Sequence, residues 1–357
     1  MSPKIRVAIL ASTQGVYGGI EVTAVAQAEY LAAQSDMDVT LAFKLVKGYS
    51  IQHGLKAIIA ESGIHAVHTA GVNATLLRLL HSADVIHLHN PMVDLLVLAL
   101  MLGKPTVVTI HNWKRSSWRH RLAALLLGNV TWRTYNSSFV RSTWSDHAPA
   151  ASSMIPTVSR LPDQRPLDPE ARRGFIFVGR WVPNKGLDLL LEAYAQAAID
   201  RSKWPLRLIG DGPLRDLVDT YRARDEGDGL EVLGFVSDAA KFAAIAGSKW
   251  LVAPAHTRED MGLTPIEARS LGVPSIVTMD GGLPEAAGAA ALLAIPGDVI
   301  SLRAQLEHAA AMSEAEYQRR STLATASLPT YLKPRGIYAE AYRQIVNNGT
   351  VPTPNRA

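Results

Sequence analysis

Arg180 and Lys185 lie in the segment Val178-Gly-Arg180-Trp-Val-Pro-Asn-Lys185-Gly186. The apolar run Phe175-Ile-Phe-Val178 precedes it, and a helical pattern begins at 187. A strand–loop–helix order puts both cations at the carboxyl end of a strand, beside a helix N-terminus. That arrangement suits a diphosphate. Arg offers a planar fork, Lys a point charge, and the helix end unpaired N–H groups.

A second candidate is Glu259-Asp-Met-Gly-Leu-Thr-Pro-Ile-Glu267, which follows an apolar run and opens a helix. Thr264 reads as an N-cap, Pro265 as the first helical residue, and Glu267 as the far member of a capping box. The N–H groups of Gly262, Leu263 and Thr264 could also meet a phosphate. Glu267 therefore has two readings, as a cap or as a ligand contact. Glu259 sits upstream on the loop, and no capping role explains it. Gly272 followed by Pro274 marks the stop of that helix.

Weaker signals surround these. Gly15-Val-Tyr-Gly18-Gly19-Ile-Glu21 follows the first apolar run, and its glycines would let backbone approach a ligand. The spacing is neither the dinucleotide fingerprint nor a Walker loop. Gly210-Asp-Gly212-Pro213 reads as a turn, with Pro213 opening a helix. His87, His89 and His111 end two apolar runs. No further ligand stands at a metal-site spacing, so zinc is set aside. Asp36-Met-Asp38 matches the Asp-X-Asp of metal-dependent sugar transferases but falls at the start of a strand, the wrong end of a sheet.

The elements that position these residues alternate. In the first half, residues 5–10, 39–43, 84–88, 105–110 and 130–135 read as buried strands, and 19–31, 91–102 and 118–127 as helices. In the second half the strands are 175–178, 206–209, 231–233, 250–253 and 275–278, with helices at 187–198, 213–224 and 265–271. Such alternation implies parallel sheets covered on both faces. The stretch 159–170 is polar and holds three prolines. We divide the chain into an N-terminal Rossmann-like domain at 1–160 and a linker at 161–171. A C-terminal Rossmann-like domain follows at 172–330, then a closing helix at 331–347 and a loose tail at 348–357.

Composition narrows the classes. Apolar residues make up 48% of the 357 and charged residues 19%, enough for real cores. There is no cysteine, which excludes a disulfide scaffold, a thiolate metal site and a cysteine nucleophile. No apolar run is long enough to span a bilayer, and the opening residues do not read as a signal peptide. The expectation is a cytoplasmic protein. Of the net charge of +4, residues 1–160 supply 14 Lys and Arg against 8 Asp and Glu, and the remainder 22 against 24. Within Trp113-Lys-Arg-Ser-Ser-Trp-Arg-His-Arg121, Lys114, Arg115, Trp118, Arg119 and Arg121 could be an acceptor face, a surface docking on an anionic inner membrane, or a solvated first helical turn. No motif or extended basic stripe suggests nucleic acid.

Together these residues resemble the retaining GT-B glycosyltransferases of family 4. The resemblance runs from Gly18-Gly19-Ile-Glu21 to about 306. It rests on Val178-Gly-Arg180 with Lys185-Gly186, on Gly210-Asp-Gly212, on Glu259 with Glu267, and on Gly281-Gly-Leu-Pro-Glu285. It implies an α/β fold of GT-B type, two doubly wound Rossmann-like domains facing a central cleft, with 1–160 acceptor-binding and 172–330 sugar-nucleotide-binding. By the resemblance, Arg180 and Lys185 hold the diphosphate of a sugar nucleotide and Glu267 binds the ribose. Glu259 lies near the donor sugar, with the N–H groups of Met261, Gly262 and Leu263 at phosphate or sugar hydroxyls. It further places Gly18 and Gly19 at the diphosphate, His111 at the transferred sugar, and backbone near Gly234 and Phe235 at the base. Two positions depart from the family pattern: Pro156-Thr-Val158 stands for Pro-Asn-Gly, and Asp260-Met261 for Pro-Phe.

The implied activity is retaining transfer of a hexose-type sugar from a UDP- or GDP-sugar to a hydroxyl acceptor, without metal or cofactor, in glycan, glycolipid or glycosylated-metabolite synthesis. The rival readings are a GT-B sugar-nucleotide epimerase and a non-catalytic sugar-nucleotide-binding protein.

Overall fold

Strand β1 (Ile5–Thr13) shows how the first sheet is built. Its successive side chains point to opposite faces. Val7, Ile9 and Ala11 enter one core, with the helix Gly19–Ala32 and the helix Gly336–Asn348. Ala8 and Leu10 enter another, beneath the helices Ala74–Ser82, Val93–Met101 and Trp118–Leu126. A strand buried on both faces has no polar side, which is why the run reads as continuously apolar. The computed structural model describes residues 3–15, 18–144, 152–156, 161, 167–223, 228–334 and 336–351.

The chain divides into two compact units, residues 1–160 with 332–357, and residues 161–331. The first unit continues with β2 (Met37–Leu45), β3 (Ala66–Thr69), β4 (Val85–His89), β5 (Thr106–Ile110), β6 (Trp132–Tyr135) and β7 (Ser152–Met154). Among the described residues these form one parallel sheet in the order β3-β2-β1-β4-β5-β6-β7. The second unit holds β8 (Phe175–Val178), β9 (Leu206–Ile209), β10 (Leu230–Gly234), β11 (Trp250–Ala253), β12 (Ser275–Thr278) and β13 (Leu292–Ala294). Their order is β10-β9-β8-β11-β12-β13, again parallel. Phe175, Phe177, Trp250 and Val252 face one core and Ile176 and Leu251 the other. This is the doubly wound, two-domain architecture that the strand–helix alternation predicts. In each sheet the order reverses once, between β1 and β4 and between β8 and β11, and such a switch point opens a crevice beyond the strand ends.

Several local expectations shift. Three short strands, β3, β7 and β13, lie outside the predicted set. β7 (Ser-Ser-Met) has no apolar run, β3 (Ala-Val-His-Thr) turns polar after two residues, and β13 (Leu-Leu-Ala) is three residues long. The turn at Gly212 runs through Pro213, and the helix starts at Arg215. The helix expected at 331–347 runs over Gly336–Asn348, beyond Pro334, and packs in the first unit's core. A separate short helix, Leu328–Tyr331, ends the second unit. Most of the linker stretch lies outside the described residues, as do the tail residues 352–357. Asp36 precedes β2 at its N-terminal edge and pairs with Arg343 at 2.7 Å, an ordinary surface ion pair. Among the described residues no helix is long and apolar enough to cross a membrane.

Candidate active site

In the second unit, the loops after β8 and β11 flank the switch point, and they carry Arg180, Lys185 and Glu259. Arg180 is exposed, with no carboxylate partner among the described residues. Lys185 ends a single turn of tight helix, Pro183–Lys185. Gly186 next to it takes φ +70°, and a Cβ there would stand 2.1 Å from the Pro254 carbonyl oxygen. Only glycine allows that approach. From the far side, the His256 N–H reaches the Asn184 carbonyl at 3.3 Å, and Nε2 of its ring donates to the Pro183 carbonyl at 3.0 Å. The lysine's turn is thereby fastened to the loop after β11.

Glu259 does have a structural partner. Its Oε2 accepts from Lys185 Nζ at 2.6 Å. Lys185 is thus already engaged by a carboxylate.

Glu267 departs from its capping reading. The helix Leu263–Ser270 is capped by Gly262 at φ +87°, without a side-chain cap, so Thr264 lies inside the first turn. A Cβ at residue 262 would fall 2.9 Å from Leu283, and the left-handed φ admits glycine at little cost. Glu267 instead accepts from Lys241 Nζ at 2.9 Å. Lys241 also pairs with Asp238 at 3.1 Å, and its Nζ lies 4.4 Å from the centre of the Phe242 ring. Glu267 is 9% exposed, and its Oε2 is buried without a partner among the described residues. Burial raises its pKa while Lys241 opposes the rise. A buried acceptor left open is costly unless a donor such as a hydroxyl fills it. Lys241 escaped the sequence reading, since one lysine on a surface helix carries no pattern. Leu263 and Thr264 keep the unpaired N–H groups of a helix start, while Met261 is buried at 6% exposure.

Gly210 and Gly212 have a packing role. A Cβ at 210 would stand 1.9 Å from the Gly179 carbonyl oxygen and one at 212 would stand 2.6 Å from that of Trp181. The loop after β9 is therefore pressed against the loop that carries Arg180. Asp211 Oδ1 accepts from the Gly212 N–H at 2.7 Å and from Arg215 Nε at 3.0 Å, which is turn chemistry. Gly234 ends β10 at φ +70°, and Phe235 beside it is 89% exposed.

In the first unit, three histidine rings stack at the ends of β4 and β5. The centroids are 4.8 Å apart for His87 and His89, and 5.1 Å for His89 and His111. Gln27 Nε2 lies 2.9 Å from His87 Nδ1, and His87 Nε2 lies 2.7 Å from the Thr109 hydroxyl. The Tyr342 hydroxyl closes on the same Nδ1. His89 Nδ1 meets His111 Nε2 at 2.9 Å. Burial lowers all three, His87 to about 3, His111 to about 4, and His89 well below the usual range. The rings are neutral at pH 7. Stacked rather than converging, they do not form a metal cage, and the described residues hold no cluster of three metal-ligating side chains. Asn90, at φ +70°, accepts the His111 N–H on its Oδ1 at 2.8 Å. The Asn136 amide donates to the His111 carbonyl at 3.0 Å. The main chain of His111 is thus fixed on both sides. Gly18 caps the helix Gly19–Ala32, and a Cβ on it would meet Glu21 Oε2 at 2.9 Å. Val16 and Tyr17 lie outside the described residues.

The basic segment begins a helix whose N-cap is Ser117, accepting from the His120 N–H at 3.2 Å. Arg115, Arg119 and Arg121 are exposed and Lys114 half-buried. Trp118 is 68% exposed, beneath the Arg119 guanidinium at 5.5 Å from the ring centre.

Comparison with known proteins places this geometry. The family model described as Glycosyltransferase Family 4 matches residues 17–158, and that described as Glycosyl transferases group 1 matches 162–322. A GDP-mannose-dependent phosphatidylinositol monomannoside mannosyltransferase of Corynebacterium glutamicum is 26% identical over 196 residues, 50% of each chain. O-antigen chain mannosyltransferase B of Escherichia coli is 34% identical over 137 residues, 37% of this chain and 35% of that one. The matches therefore span half or less of these curated relatives. Among solved structures, Anabaena HepE in complex with UDP and glucose superposes with a TM-score of 0.75 at 16% identity, covering 96% of this chain and 98% of that one. WaaG, a glycosyltransferase involved in lipopolysaccharide biosynthesis, gives 0.65 at 16% identity over 96% and 100%. With one family model on each unit and the GT-B architecture over nearly the whole length, the chain belongs to the GT-B glycosyltransferases of family 4 type.

Proposed function

We propose that this protein transfers a hexose-type sugar from a nucleoside diphosphate sugar to a hydroxyl acceptor, with retention of configuration. The observation that carries the reading is the group Arg180, Lys185 and Glu259 at the β8–β11 switch point, with the half-satisfied Glu267 on the helix after β11. Arg180 and Lys185 hold the diphosphate, Glu267 takes the ribose hydroxyls on its open Oε2, and Glu259 meets the sugar. The backbone of Met261, Gly262 and Leu263 lies at phosphate or sugar hydroxyls, and Gly234 and Phe235 at the base. Mannosyl transfer by the curated relatives and UDP in the HepE structure make GDP- and UDP-sugars the donors to try first.

In the reaction the bond from the anomeric carbon to the diphosphate oxygen breaks, and one to the acceptor oxygen forms. The acceptor's hydroxyl proton passes to the released diphosphate or to solvent. Negative charge grows on the departing diphosphate, where preorganised cations are worth most. Removing one such donor typically costs about 2.7–4 kcal/mol, or about 100- to 1,000-fold in rate. In this reading the two side-chain cations and the helix N–H groups carry out that task without a metal. The reaction runs on the cytoplasmic side.

Thermal shift with UDP, GDP, ADP, CMP and NAD, each with EDTA, tests the donor site. One nucleoside diphosphate should stabilise the wild type, by about 2.7 kcal/mol at a hundred times Kd, and Arg180→Ala should lose the effect. A shift with NAD alone, or with nothing, would overturn the reading. Sugar transfer to an added acceptor separates a transferase from an epimerase, which would release UDP without one, and from a binding protein, which would do neither.

The face bearing Arg115, Trp118, Arg119 and Arg121 is proposed as an acceptor or anionic-membrane contact. Trp118 shares its helix with Leu125, 73% exposed, and Met101, 79% exposed, ends the helix packed alongside. Apolar tips interleaved with arginines suit a headgroup layer.

A further inference from the structure

We propose that Asp280 is a positioning residue, which fixes Glu259 for the donor sugar through its main chain. This inference rests on the donor-site reading above.

The main chain at Glu259 is unusually constrained. Arg258, immediately before it, has φ +52°. A non-glycine residue in the left-handed region is strained and persists only when its surroundings hold it there. The restraint comes from the loop after β12. Asp280 Oδ2 accepts the Glu259 N–H at 2.7 Å. The Gly282 N–H donates to the Glu259 carbonyl at 2.8 Å. Both backbone groups of Glu259 are thus taken by one short segment, Asp280-Gly281-Gly282.

The glycines permit the approach. A Cβ at residue 281, itself at φ +53°, would stand 2.0 Å from the Glu259 carbonyl oxygen. One at residue 282 would stand 2.6 Å from the Asp260 carbonyl oxygen. Neither contact could be relieved by rotating a side chain, since both involve main-chain atoms. The Thr278 hydroxyl ties the same loop to the Ala255 carbonyl. Glu259 therefore has a fixed origin, and its carboxylate meets Lys185 from there. A carboxylate accepting a backbone N–H makes a charge-assisted hydrogen bond, stronger than a neutral one. Without the Asp280 carboxylate, the Glu259 N–H loses its acceptor and Glu259 is held at its carbonyl side alone.

Two experiments test this. The first needs no ligand. Hydrogen exchange, read on a peptide spanning residues 257–262, should quicken at the Glu259 amide by at least tenfold in Asp280→Ala. Asp280→Asn keeps an acceptor oxygen and should stay within threefold of wild type. Exchange unchanged in Asp280→Ala would overturn the clamp.

The second uses calorimetric titration with UDP and UDP-glucose, and with GDP and GDP-mannose. The readout is the ratio of the Kd values of the plain diphosphate and its sugar form. Asp280→Ala and Gly281→Ala should shift that ratio toward the plain diphosphate by at least fivefold, in the direction of Glu259→Gln, while Asp280→Asn holds it. A wild-type ratio in both variants would overturn the proposal. So would parallel weakening of both ligands, the mark of a merely structural role. A wild type that binds none of the four ligands would defeat the donor-site reading and this inference with it, whatever the exchange result.

Discussion

Replacing Glu259 with glutamine should tighten the binding of a plain nucleoside diphosphate while slowing transfer. Lys185 is held by Glu259 at 2.6 Å, and the side chains are 26% and 20% exposed. A diphosphate that recruits Lys185 must draw it away from that carboxylate, which also repels the incoming anion. Unit charges about 4 Å apart interact by about 4 kcal/mol at an effective dielectric of about 20. Fully exposed pairs measure only about 0.2–1 kcal/mol. This pair is partly buried and lies between those bounds. We take about 1–2 kcal/mol, or about 5- to 30-fold in Kd at about 1.4 kcal/mol per decade. Glutamine keeps the volume and one acceptor oxygen but removes the charge. Isothermal titration of wild type and Glu259→Gln with UDP and GDP checks the affinity, and turnover of the matching sugar donor checks the rate. Affinity should rise by that factor while turnover falls at least tenfold. Equal or weaker diphosphate binding in the variant would refute the competition between Glu259 and the ligand for Lys185.

Other outcomes follow from the same geometry. Glu267→Ala should weaken a nucleoside diphosphate about tenfold yet leave its 2′,3′-dideoxy analogue unaffected, and Lys241→Met should do likewise by stranding Glu267. Equal losses for both nucleotides would remove the ribose assignment. The buried histidines predict acid sensitivity. His87 and His111 titrate near about 3 and 4 in the fold but about 6.5 unfolded, so the unfolded chain binds more protons between those values. Their stabilisation is complete above about pH 6.5 and drains as pH falls toward 4. Melting temperature should therefore drop between pH 7 and 5, and a flat profile would contradict it. Co-sedimentation with anionic vesicles at low salt should fall at least fivefold in a Trp118→Ala, Arg119→Ala, Arg121→Ala variant, with neutral vesicles as control. No binding by the wild type would end the membrane assignment.

The sequence alone determined the strand–helix alternation, the two-part organisation it implies and the cations at the end of β8. Those features are local. A parallel strand buried on both faces is mostly apolar, and a loop into a helix N-terminus is written in neighbouring residues. The short strands β3, β7 and β13 were beyond reach, because they lack the four-residue apolar run that marks β8 and β11. Partnerships were also beyond reach. Lys185 finding Glu259, Lys241 finding Glu267 and Asp280 finding the Glu259 N–H join residues from separate loops or helices. Sequence could nominate Glu267 as a cap because Thr264 and Pro265 sit at the right spacing. Only the fold, by placing Gly262 in the left-handed region against Leu283, moved the cap to Gly262 and turned the glutamate toward Lys241. The stacking of His87, His89 and His111 likewise needed β4 and β5 to pair in register. Local propensity selects the elements, whereas the close approaches that set a carboxylate's partner exist only once parallel strands bring distant loops to the same edge.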